Sequence, residues 1–103
     1  MTWMPTAYID EMLRGWMKAN GWEVNSTDYD FERKVYSWRH KVRSGPSPTL
    51  RISQGVLEDH PAFAVLYHLD RLRVSAAIRK NPAAPLVVVE RGSKVLLEEA
   101  LGD

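Results

Sequence analysis

Apolar side chains recur along "TAYIDEMLRGWMKANG" with the spacing of a helix. Ile9, Met12, Leu13, Trp16 and Met17 fall on one face. Thr6 can cap the start, and Asn20-Gly21 is a strong stop. The next passage, "NSTDYD", is polar and reads as a turn region. The period then changes. "FERKVYSWRHKV" alternates with period two and is rich in β-formers, so it predicts a strand. "SGPSP" breaks it, and "TLRIS" predicts a second strand that returns as a hairpin.

Ser53 can end that strand and cap a turn of helix, and Asp59 can cap the next helix. "AFAVLYHLDRLRVSAAIRKN" predicts one long helix, stopped at Asn81-Pro82. Val87 to Val89 is a buried-strand run, followed by a turn at Arg91-Gly92-Ser93. Val95 to Leu97 predicts a last strand; a terminal helix over 93–101 is the competing reading. The pattern predicts an α+β fold of two layers: a mainly antiparallel sheet packed on two helices, in the order α-β-β-α-β-β.

Alternation divides the basic stretch "KVYSWRHKVRSG" into two faces. Tyr36, Trp38 and Val42 join Leu50 and Ile52 on the side expected to be core. Arg33, Arg39, Lys41 and Arg43 join Arg51 on the exposed side. The aromatics therefore point away from the cations. That weakens a base-stacking platform but leaves a surface for phosphates, which needs no aromatic partner. An exposed sheet face also needs charge simply to remain unaggregated.

Charge distribution sharpens this pattern. The chain of 103 residues has a formal net charge of +1. Residues 33–57 nevertheless hold six bases and no acid. DNA or RNA is the expected partner of that segment, through Arg33, Arg39, Lys41, Arg43 and Arg51, with Arg73 from the long helix in support. A protein partner is the alternative, engaged through the Trp-bearing first helix. Trp3 and Trp22 lie at that helix's ends and are its candidate anchors. Homodimerisation through this helix is compatible with the small size of the chain.

The remaining chemistry is sparse. With no cysteine there is no disulfide and no thiolate metal site. His60 and His68 are two helical turns apart, too far for one metal without a third element, and no HExxH is present. No GxSxG, P-loop or GxGxxG occurs, so no enzyme activity and no cofactor are expected. Asp10 and Glu11 interrupt any signal-peptide core, and no apolar run approaches ~20 residues. The expectation is one soluble, cytoplasmic domain.

The passage "LRISQGVLEDHPAF" resembles the strand-to-helix junction of small uncharacterised bacterial domains. Ile52, Ser53, Leu57, Glu58 and Asp59 carry the resemblance, which extends over residues 35–90. It implies a hairpin, an I-S-x-x-x-L-E-D junction, a long helix, a final strand and a bacterial or phage origin. It brings no catalytic residues, and the first helix lies outside it.

Overall fold

A computed structural model describes residues 6–100 of the chain. Helix α1 spans Ala7–Ala19. Thr6 Oγ1 accepts the Ile9 N–H at 3.2 Å, which satisfies one of the free donors of the first turn. At the other end Gly21 takes φ 90°. The Trp22 N–H then reaches Met17 O at 2.9 Å and the Gly21 N–H reaches Lys18 O at 3.0 Å. This is a Schellman stop, and Trp22 folds back on Trp16 with ring centroids 6.5 Å apart.

Five strands follow: β1 Ser26–Asp30, β2 Val35–Arg39, β3 Thr49–Ser53, β4 Leu86–Arg91 and β5 Lys94–Glu99. They form one sheet in the order β1-β2-β3-β4-β5. Helices α2 Gln54–Asp59, α3 Ala62–Arg71 and α4 Val74–Lys80 lie between β3 and β4. That long crossover lets β4 run parallel to β3, with Ile52 opposite Val88. The other neighbours are antiparallel. The last two strands form a two-residue hairpin, with Gly92 at φ 64° in the turn.

The fold class is α+β, but the sheet is mixed rather than mainly antiparallel. Four helices and a further strand replace the expected order. The further strand is "STDYD", where serine and aspartate argue for a turn. Pairing along β2 overrides that propensity. Tyr29 lies 4.3 Å from the Tyr36 ring, and its hydroxyl donates to Gln54 Oε1 at 2.6 Å. The aspartates keep this edge strand polar.

The expected long helix is broken at Arg73, which adopts φ 54° and ψ 45°. Val65 and Leu69 set the inward face of α3. Five residues of unbroken helix would rotate Val74 about 140° away from Leu69. The break turns Val74 and Ile78 back into the core. Asp59 does not cap α3. It ends α2, and Pro61 occupies the cap position. Val42 is not core either: β2 ends at Arg39, and Val42 is exposed in the following loop.

The core lies between the helices and one face of the sheet. Tyr36, Trp38, Leu50, Ile52 and Val88 pack there against Leu13, Met17, Val56, Val65, Leu69, Val74 and Ile78. Each of these aliphatic side chains contributes roughly 1.5–3 kcal/mol of transfer free energy when fully buried. No described helix is long and apolar enough to cross a membrane.

Candidate anion site on the open sheet face

Among the described residues, the helices pack on one face of the sheet only. Alternation along β2 and β3 sends Val35, Ser37, Arg39, Arg51 and Ser53 to the other side, because Tyr36, Trp38, Leu50 and Ile52 point into the core. The face is concave and encloses about 920 Å³. Its floor includes Val87 and Val89, which are buried yet stand apart from the helix-side core.

Arg39 pairs in register with Thr49, and Arg51 with Ser37. The two arginines are therefore diagonal neighbours on adjacent strands. Both are half-buried. Among the described residues, no carboxylate forms an ion pair with either guanidinium. Burial holds Arg51 below the usual arginine range, and the charge of Arg39 lowers it further. Two like charges thus share a partly desolvated surface.

The other expected cations are arranged differently. Arg33 lies in the β1–β2 turn, where its guanidinium pairs with Asp30 at 3.4 Å. Two backbone N–H groups of that turn also donate to Asp30, and they help hold its carboxyl below the usual range. Lys41 and Arg43 are exposed in the loop after β2. The His40 N–H donates to Pro48 O at 2.9 Å and closes the base of that loop, next to Arg39. Arg73 sits at the α3–α4 break, on the layer that covers the other side of the sheet. It does not join the arginine pair.

Of the candidate partner anchors, Trp3 lies outside the described residues. Trp22 is buried against Trp16, and the Arg79 guanidinium sits 4.8 Å above its ring. Its indole face is already occupied.

Acids frame the concavity, a feature that strand-by-strand reading did not reveal. Asp28 and Asp30 stand on β1, Glu58 on α2, Glu90 on β4 and Glu98 on β5, while the register turns Glu99, like Val95 and Leu97, toward the helix side. Arg91 clasps Glu98 with two hydrogen bonds of 3.1 and 2.9 Å. Each partner stabilises the charged form of the other, so Glu98 titrates low and Arg91 high.

A second titratable cluster lies at the junction of α2, α3 and β4. His60 Nε2 is 2.8 Å from Glu90 Oε1, and the His60 and His68 rings are 5.5 Å apart. The Glu90 carboxylate raises Asp59, while Glu90 is lowered first by its contact with His60 and then by Asp59. Only the topology could bring positions 60 and 90 together. No group of His, Cys, Asp and Glu among the described residues has the geometry to hold a metal.

Comparison with known proteins finds no matching family model, no matching curated protein and no matching solved structure.

Proposed function

We propose that the protein is a small non-enzymatic binding domain that takes up the phosphates of a nucleic acid on its open sheet face. The observation that carries this reading is the Arg39–Arg51 pair, half-buried side by side with no acid among the described residues in ion-pair contact with either guanidinium. Such a pair costs folding stability while empty, because like charges repel more strongly as water is removed. An oxyanion between them relieves the repulsion and accepts charge-assisted hydrogen bonds from both forks. Lys41 and Arg43 extend the cationic surface at the loop end. The aromatics of β2 are buried on the far side, so the recognition is of backbone rather than bases.

The test is thermal unfolding with and without a mixed-sequence oligonucleotide. A ligand at about 100 times its Kd stabilises the fold by roughly 2.7 kcal/mol. The Arg39→Gln, Arg51→Gln variant should be at least as stable as the parent when empty, and should lose that gain. No stabilisation of the parent by the oligonucleotide at about 50 mM salt contradicts the proposal.

A protein-interaction module is the second reading. The observation that favours it is Phe63 and Tyr67, one turn apart on α3 and 74% and 62% exposed. Replacing both with serine should abolish self-association or partner capture and leave oligonucleotide binding intact. Unchanged association removes this reading.

A further inference from the structure

Among the described residues the sheet ends at β1 on one side and at β5 on the other, and the two edges differ in chemistry. The β1 edge carries Asp28 and Asp30, charges of the kind that keep an edge from pairing. The β5 edge has Val95, Leu96 and Leu97 in its middle, and Leu96 is exposed. An edge with an apolar centre is a template for another strand.

The ladder fixes which groups β5 offers. Lys94 pairs with Arg91 across the two-residue hairpin, and the Ala100 N–H donates to Pro85 O at 2.7 Å. Lys94, Leu96 and Glu98 therefore turn their N–H and C=O groups to β4, while Val95, Leu97 and Glu99 turn theirs outward. Arg71 Nη2 donates to the outward Val95 O at 2.9 Å. A carbonyl oxygen has two lone pairs, so Val95 O can still accept an N–H from a neighbouring strand. Side chains alternate too. Lys94, Leu96 and Glu98 face the open side, and Val95, Leu97 and Glu99 face the helices.

We infer that β5 pairs antiparallel with β5 of a second copy of this chain, so that the two sheets become one. The inference is independent of the nucleic-acid reading. A two-fold axis at Leu96 sets Val95 opposite Leu97 of the second copy, and both of these residues offer outward N–H and C=O groups. Leu96 meets Leu96 across the axis, with Cα atoms about 4.5 Å apart. On the same face Lys94 falls opposite Glu98 of the second copy, whose carboxylate keeps lone pairs free beside its two bonds to Arg91. On the helix side Arg71, held at Val95, is a diagonal neighbour of Glu99 of the second copy. Glu99 has no ion pair among the described residues. A slip of two residues in either direction sets Leu96 against Glu98 or Lys94 and loses the apolar and the charged match together. The same pairing of β1 about Asp28 would set two aspartates against each other.

The experiment follows mass against concentration for the whole chain by sedimentation velocity. The parent should pass from monomer to dimer as its concentration rises. Leu96→Lys sets two like charges together at the axis and should weaken the dimer about tenfold. Lys94→Glu and Glu98→Lys each set like charges opposite one another and should each weaken it several-fold. An equimolar mixture of these two variants restores an opposite-charge pair on both sides of the axis and should recover most of the parent's affinity. A parent that stays monomeric at about 100 μM overturns the inference. So does a Leu96→Lys dimer as tight as the parent's, or a mixture no tighter than its separate components. An association lost only in the Phe63→Ser, Tyr67→Ser variant belongs to the α3 face and also overturns it.

Discussion

Trp38 and Asp10 join the sheet to the first helix: the indole Nε1–H donates to Asp10 Oδ1 at 2.9 Å. Trp38 is almost wholly buried, so its donor has no access to bulk water. The other oxygen of Asp10 receives Arg14 Nε at 2.8 Å near the surface. The two bonds differ in what their loss leaves behind. Asp10→Ala strands a buried N–H and should cost about 1–3 kcal/mol. Arg14→Ala breaks an exposed i,i+4 pair and should cost under about 1 kcal/mol. Urea unfolding followed by tryptophan fluorescence measures both. Equal losses contradict the assignment.

Stability should fall as the pH drops below the ordinary histidine range. His68 is held below its usual 6.5, first by burial, then by the charges of Arg71 and His60. The folded state therefore binds fewer protons at His68 than the unfolded state does. Its contribution is complete above pH 6.5 and is lost as the pH falls through the folded value. Glu90 adds in the same direction at lower pH, because its folded carboxyl is also depressed. Asp59 opposes it, since its carboxyl is raised and favours the protonated state. Thermal unfolding at pH 7.5 and pH 5.5 measures the slope. His68→Gln should flatten it, and an unaltered slope in that variant contradicts the assignment.

Arg73 holds a left-handed backbone that costs a non-glycine residue roughly 1–2 kcal/mol. Glycine adopts it freely but loses more entropy on folding. Arg73→Gly should therefore stabilise the fold by up to about 1 kcal/mol. It should leave oligonucleotide affinity unchanged, because Arg73 lies on the helical side. A loss of stability would mean that the arginine side chain contributes more than its backbone costs.

The elements with strong local signals were legible in the chain. Thr6, Asn20 and Gly21 bracket α1, and period two marks β2 and β3. The features that were not legible depend on distant partners. Aspartate-rich β1 becomes a strand only because β2 offers a ladder and Tyr36 offers a ring to Tyr29. No local breaker announces the bend at Arg73; the need to bury Val74 and Ile78 imposes it. For the candidate site, alternation separated Arg39 and Arg51 from the core aromatics. It also placed Lys41, Val42 and Arg43 on a strand that the structure ends at Arg39. The acids that frame the face come from β1, α2, β4 and β5, and only the topology sets them around the arginines.

The most direct test of the Arg39–Arg51 site is the salt dependence of single-strand binding. Each phosphate neutralised contributes about −0.7 to the slope of log K against log salt. Replacing both arginines with glutamine should reduce the magnitude of that slope by about 1.4 and weaken binding at low salt. A slope and an affinity that match the parent's would contradict the account.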